Sequence, residues 1–270
     1  MEENGGSAMK FSRFILTSAL LWILFTAGGG ESSAQGIRTG VAFLKTNPGA
    51  RQQGFGSSLT GVLDEIHGLY ANPASLGFTR EWNWAASYSK LMPEIYNTSF
   101  AFGHKNTTSL FGTNYIGISA SYLGIPEFDS SEGAADGVSA NDMLFGTTIA
   151  HPFRFGFGQI ALGTNLKYYR STLASFQSST WILDAGLLWR SNRIETPGLA
   201  DKIPGLEKAI FSAGFSMTQL GSPLKHDINN TPLPKTMRFG AAMHLGSHTG
   251  MQLHFLTDYK KILDEDGQFS

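Results

Sequence analysis

Phe211-Ser212-Ala213-Gly214-Phe215-Ser216-Met217-Thr218 alternates residue by residue, with Phe211, Ala213, Phe215 and Met217 on one side and Ser212, Gly214, Ser216 and Thr218 on the other. Successive side chains of a β-strand point to opposite faces, so the stretch describes a strand with one greasy and one wet face. The wet face is too small and polar to be a core. Apolar outside and small or polar inside is what a transmembrane antiparallel β-barrel requires, and an all-β barrel of the bacterial outer membrane is the expected fold.

Eight further stretches carry the same pattern. Trp82, Trp84, Ala86 and Tyr88 share a face in the first, Tyr96, Thr98, Phe100 and Phe102 in the second, and Ile116, Ile118, Ala120 and Tyr122 in the third. Met143, Phe145, Thr147 and Ile149 follow in the fourth, and Ile160, Leu162, Leu166 and Tyr168 in the fifth, with Lys167 turned inward. The eighth sets Met237, Phe239, Ala241, Met243 and Leu245 against Arg238 and His244, and the ninth sets Met251, Leu253, Phe255 and Tyr259 against His254 and Asp258. The sixth carries Trp181, Leu183, Ala185, Leu187 and Trp189 outward. At ~3.3 Å per residue its two tryptophans stand ~26 Å apart, or ~20 Å of depth for a strand tilted by ~40°. That matches an apolar band with an indole at each interface, and Trp82, Trp181 and Trp189 are the expected interface aromatics.

Composition agrees with this reading. Charged residues are 15% of the chain against roughly 25% for a soluble domain, and glycine is abundant, at 32 of 270 residues. A net charge of -1 gives no sign of a nucleic-acid partner, and the absence of cysteine excludes disulfides and thiolate metal sites. Lys10 and Arg13 precede an apolar run over 14–27, and Ser32-Ser33-Ala34 offers small residues for cleavage, so 1–34 reads as a cleavable signal peptide with an N-terminal extension. Residues 35–79 do not alternate and read as an N-terminal plug or hatch, with a short helix possible over 59–70. Residues 80–270 hold the barrel strands. Nine strands is an odd number and the tail from 264 is loop-like, so a truncated barrel lacking its C-terminal strands is expected. By strand count the connections at 124–141, 170–178 and 220–235 are external, and 190–208 is periplasmic with a short cap near 200–208.

Gly49-Ala50-Arg51-Gln52-Gln53-Gly54-Phe55-Gly56, followed by Leu69-Tyr70-Ala71-Asn72-Pro73-Ala74-Ser75-Leu76-Gly77, resembles the start of the PorV/PorQ family of FadL-like outer-membrane barrels. Leu166-Lys167-Tyr168, Asp184-Ala185-Gly186-Leu187-Leu188 and Pro234-Lys235-Thr236-Met237-Arg238 extend the similarity over roughly 40–263. The resemblance implies about fourteen strands, an N-terminal hatch and no enzymatic activity. It implies a shuttle role in type IX protein secretion, with secretion-system and surface-attachment proteins as partners beside outer-membrane lipid. The alternative within FadL-like barrels is passage of long-chain fatty acids or other hydrophobic small molecules. The pattern departs from the family where a paired Asp-Asp is expected and Asp64-Glu65 stands.

Gly54-Phe55-Gly56 lacks the third glycine of a nucleotide loop and reads as a bend in the plug. Asp64, Glu65 and His67 have no second histidine at helical spacing and read as a solvated polar helix face rather than a metal site. His244 and His254 are expected to approach one another across adjacent inner faces, as lumen lining rather than ligands; neither metal nor cofactor is expected. No nucleophile elbow surrounds any serine. Asn72-Pro73-Ala74 either fixes where the plug meets the wall or simply stops a helix. Arg51, Lys167 and Arg238 are the expected interior cations, tethering plug carboxylates such as Asp64 or lining the lumen.

Overall fold

The computed structural model describes residues 41–263 other than 47, 93, 110–111, 129–137, 174–175, 197–206, 227–228 and 247–251. The expected signal peptide, most of the expected cap near 200–208 and the tail from 264 lie outside the described residues. Among the described residues twelve strands are formed: β1 (Trp82–Lys90), β2 (Tyr96–Ser109), β3 (Gly112–Phe128), β4 (Val138–Phe155), β5 (Gly158–Leu173), β6 (Phe176–Ser191), β7 (Ile194–Glu195), β8 (Lys208–Gly221), β9 (Leu224–His226), β10 (Asn229–Thr231), β11 (Thr236–Gly246) and β12 (Gln252–Ile262). The described residues are therefore mostly antiparallel β-sheet. One antiparallel sheet runs β1-β2-β3-β4-β5-β6-β8-β11-β12, each long strand pairing with the next along the chain, and β7 also pairs with β8.

Alternation sets the two faces of this sheet. In β5, Gly163, Asn165 and Lys167 are buried while Leu162, Thr164 and Leu166 are exposed. In β6, Ile182 and Asp184 are buried between exposed Trp181, Leu183 and Ala185. Trp181 is 61% exposed and Ile118 50%, so the large residues of the apolar face do not meet in a shared centre. Burial is concentrated on the opposite face.

That face is covered by the chain's own N-terminal segment, 41–79. Val41, Phe43 and Leu44 pack with Leu123, Leu144, Tyr169 and Ile182. Ile66, Leu69 and Leu76 pack with Ala101, Tyr115 and Ala150, and Ala74 and Phe78 with Ala161 and Leu188. Leu59, Leu69 and Leu76 are fully buried, each contributing on the order of 1.5–3 kcal/mol of apolar transfer. The inner face is thus less uniformly small than its strand pattern predicts: Leu144, Tyr169, Ile182 and Leu188 complete an apolar core with the segment.

The segment reaches both margins of the sheet. Ala50 N–H donates to Ser87 Oγ of β1 at 3.0 Å, and Thr60 Oγ1 donates to Asp258 of β12 at 2.6 Å. Nine flat strands at ~4.8 Å spacing would span roughly 38 Å. One cavity is nevertheless lined by Trp82, Asn83 and Trp84 of β1 together with Gln252 and His254 of β12. The sheet therefore curls around the segment. Among the described residues β1 pairs only with β2 and β12 only with β11.

Several local features depart from the strand pattern. The stretch 59–70 holds no α-helix; Ile66–Tyr70 is a 3-10 turn, capped by the Glu65 side chain accepting from His67 N–H. The connection between β8 and β11 contains its own two-stranded ribbon, β9-β10. A bulge interrupts β8 where the register slips between Leu183 and Ala185, leaving Gln219 at φ 63°. Met243 and Leu245, placed outward by alternation, are buried with Ala209 against Ile194 and Phe211, because β7 folds in beside that end of β8.

Candidate functional site

The seam between the N-terminal segment and the sheet gathers most of the polar residues singled out above. Asn72 is its fulcrum. Preceding Pro73 and held extended at ψ 106°, it caps the turn Pro73–Phe78, its Oδ1 accepting from Ala74 N–H at 3.1 Å. Its amide donates to Thr60 O at 2.8 Å and to Leu187 O of β6 at 3.1 Å. A helix stop needs only the first of these bonds; the other two join the segment to itself and to the sheet. The approach is possible because the sheet has no side chains beneath it. Gly163 stands opposite Gly186 on neighbouring strands. A methyl at Gly186 would overlap Asn72 Oδ1, and one at Gly163 would overlap the Pro73-Ala74 peptide. Gly214 opposite Gly240 likewise admits the Thr60-Gly61 backbone.

The charged residues pair differently from the expectation that Arg51 tethers Asp64. Arg51 has a side chain 60% exposed and pairs with Glu65 at 3.0 Å, while Asp64 pairs with Arg80 at 3.2 Å. The solvated helix face expected for Asp64, Glu65 and His67 is overturned for two of them: Glu65 and His67 are each 4% exposed. Glu65 faces inward because it caps the 3-10 turn, and His67 Nε2 lies 3.5 Å from Ser99 Oγ. Burial holds the His67 imidazole below its ordinary range and pushes the Tyr70 hydroxyl up. Tyr70 Oη donates to Ala120 O at 2.9 Å. Gly56 turns with φ +60°, whereas a methyl at Gly54 would meet nothing within 4 Å. Only Gly56 therefore makes the bend depend on glycine.

Lys167 and Asp184 form an ion pair with side chains 3% and 0% exposed. They are neighbours on β5 and β6 of the sheet itself, so Lys167 does not tether the segment. Asp184 Oδ1 also accepts Gln219 N–H of the bulge at 2.8 Å, and Gln219 Nε2 in turn donates to Leu44 O. Arg238 is 6% exposed and its Nε has no hydrogen-bond partner among the described residues. Asp258 receives Leu59 N–H, Thr60 N–H and Thr60 Oγ1–H at 2.6–3.1 Å, making it the anchor on β12. Sequence reasoning set Asp258 on the inner face without this role and missed Gln219 entirely. The only local signal for Gln219 was the break in alternation after Thr218.

His244 and His254 do meet, paired in register with Nδ1 atoms 2.7 Å apart, one ring donating to the other. Ser212 Oγ lies 3.3 Å from His244 Nε2. No group of three or more metal-binding side chains occurs among the described residues. The three tryptophans separate: Trp82 and Trp181 stand exposed at 63% and 61%, while Trp189 is half-buried beside the Gly158 turn.

These features define a class: an antiparallel β-sheet curled around an N-terminal segment, apolar on the outside and holding the segment through both apolar packing and buried polar anchors. Compared with known proteins, the chain matches no family model and no curated protein.

Proposed function

We propose that the chain is an outer-membrane β-barrel protein of PorV/PorQ type, exported by a signal peptide, whose N-terminal segment plugs the barrel and which serves type IX-like protein secretion. One observation carries the membrane part of this reading. Large side chains including Trp84, Ile118, Phe145, Ile149, Leu166 and Trp181, on β1, β3, β4, β5 and β6, are 50–68% exposed on the face opposite the buried segment. A monomer in water rarely leaves a contiguous apolar patch beyond a few hundred Å². In lipid the same face is matched to its solvent, and the paired strands satisfy their own backbone groups. No helix among the described residues is long and apolar enough to cross a membrane, so strands would do the crossing.

The role in secretion rests on the sequence resemblance. The interior supports it over hydrophobic transport, because the segment occupies the inner face and a cavity of about 720 Å³ beside it sets five cations, Arg51, Arg80, Arg190, Arg193 and Lys208, among apolar Leu63, Phe78, Trp82, Trp84, Ile210 and Leu245. A conduit for hydrocarbon tails calls for a continuous apolar path, which these five cations interrupt. The test is deletion in the native host, with outer-membrane fractionation of the tagged protein. Recovery in the outer membrane, with loss of surface-displayed proteins and unchanged fatty-acid uptake, is expected. An unaltered surface proteome overturns the secretion role, and recovery in a soluble fraction overturns the barrel.

A further inference from the structure

The cavity of about 720 Å³ lies where the ends of β6 and β11 and the beginnings of β1, β8 and β12 meet the N-terminal segment. Its lining places Arg51, Arg80, Arg190, Arg193 and Lys208 around a single carboxylate, Asp64. The whole chain has 20 basic and 21 acidic residues, so this is a local segregation of charge rather than a reflection of composition. Two of the five cations are neutralised: Arg51 by Glu65 and Arg80 by Asp64. Arg190 donates to Gln159 Oε1 at 2.9 Å and lies 5.1 Å over the Phe78 ring, contacts that orient a guanidinium without cancelling its charge. Arg190, Arg193 and Lys208 have no ion pair among the described residues.

The fold holds these three cations together. Arg190 closes the β6–β8 pairing opposite Ser212, and Ile194 resumes it opposite Ala209. Arg193 is thereby kept in the short break between β6 and β7, and Lys208 opens β8 opposite Glu195. A concentration of like charge around a recess has an electrostatic cost unless an anion enters it. The volume lies within the ~300–1,000 Å³ typical of small-ligand sites.

We propose that this cavity binds a phosphate-bearing anion through Arg190, Arg193 and Lys208. A phosphate presents several acceptor oxygens and up to two negative charges, matching two planar guanidinium forks and an ammonium better than a lone carboxylate does. The phosphate can belong to a lipid headgroup or to a small soluble ester. Trp82 and Trp84, 63% and 68% exposed, line the same cavity from the edge of the sheet, where the rest of a lipid would leave it.

The purified full chain in a neutral detergent is titrated with inorganic phosphate by calorimetry. In a second arm it is reconstituted in nanodiscs of phosphatidylcholine with or without phosphatidylglycerol, and retained lipid is read by native mass spectrometry. The wild type is expected to bind in at least one arm, and R193Q/K208Q to weaken that binding at least tenfold, since each charge-assisted hydrogen bond lost is worth about that factor or more. Binding of free phosphate alone assigns a soluble ester, and selective retention of phosphatidylglycerol assigns a lipid headgroup. Arg193 is exposed, so R193Q alone serves as the test should the double variant fail to fold. Failure of the wild type to bind in either arm, or equal binding by the variants, overturns the proposal.

Discussion

The side-chain amide of Asn72 donates to the main-chain oxygen of Leu187 at 3.1 Å, joining residues 115 apart in sequence. With the bond to Thr60 O and the cap on Ala74 N–H, one fully buried side chain holds three pieces of the chain. Asn72→Ala removes two ordinary hydrogen bonds and a cap, each worth ~1 kcal/mol, and is expected to cost ~2–4 kcal/mol in a urea titration. Asn72→Asp keeps the cap but buries a charge against two carbonyl oxygens and should cost more than the alanine variant. An aspartate variant as stable as wild type would show that the amide donors are unimportant.

The glycines facing this asparagine behave as a receiving surface. Gly186→Ala forces its methyl into Asn72 Oδ1, and Gly163→Ala forces one into the Pro73-Ala74 backbone. Each is expected to destabilise by ~1–3 kcal/mol, as overpacking does, and to expose Arg51 or Arg80 to trypsin sooner than in wild type. Gly54→Ala, with open space around the new methyl, should be neutral in both measurements. Gly56→Ala, at φ +60°, should cost ~1–2 kcal/mol through backbone strain alone.

The contrast between these glycines shows what was legible beforehand. Alternation identified the nine long strands and assigned Gly214, with Lys167 and Arg238, to the inner face, because the period-two signal is local and strong. It could not say what the glycines receive. The partners Asn72 and Thr60 lie in a stretch without periodicity, and contacts such as Asn72 to Leu187 leave no trace in neighbouring residues. Glu65 was misjudged for a related reason: a capping carboxylate and a solvated one look alike until the turn it caps is known. The bulge at Gln219 left only a break in alternation after Thr218, which does not by itself identify a bulge, because a bulge is specified by the register of the partner strand.

The Lys167–Asp184 pair is buried at 3% and 0% exposure between β5 and β6. Lys167→Met leaves Asp184 without its counter-charge and is expected to cost ~3–5 kcal/mol. Combining it with Asp184→Asn retains an acceptor for Gln219 N–H and removes the stranded charge, so the double variant should recover most of that loss. Strict additivity in the double-mutant cycle would refute the coupling.

His67 gives the N-terminal segment an acid sensitivity. Its ring is buried near Glu65, at 3.8 Å, and stacked on Tyr70 at 6.1 Å, with Arg51 reaching the same carboxylate. Burial lowers its folded pKa below the unfolded value of 6.5. The unfolded chain therefore takes up a proton first as the pH falls. The stability from neutral His67 is complete above pH 6.5 and is lost below it, until the folded pKa is reached, with a slope of at most ~1.4 kcal/mol per pH unit. Urea midpoints at pH 7.5 and 5.5 should differ more in wild type than in His67→Gln; an identical difference in both would exclude His67 as the source.

Ile118 decides what surrounds the outer face. It is 50% exposed in the middle of β3, between Phe102 of β2 and Thr147 of β4. In water, Ile118→Arg replaces an exposed apolar side chain by a solvated one, and surface changes of this kind stay within about 0.5 kcal/mol. In hydrocarbon the same arginine costs ~2–4 kcal/mol near the bilayer midplane. The neighbouring Ser119 is buried on the other face, so Ile118 reports on the outer surroundings alone. Refolding into phosphatidylcholine vesicles, with Ile118→Ala as the size control, should show a loss of ~2 kcal/mol or more specific to arginine. An arginine variant no less stable than the alanine one, or more soluble without detergent than wild type, would place that face in water.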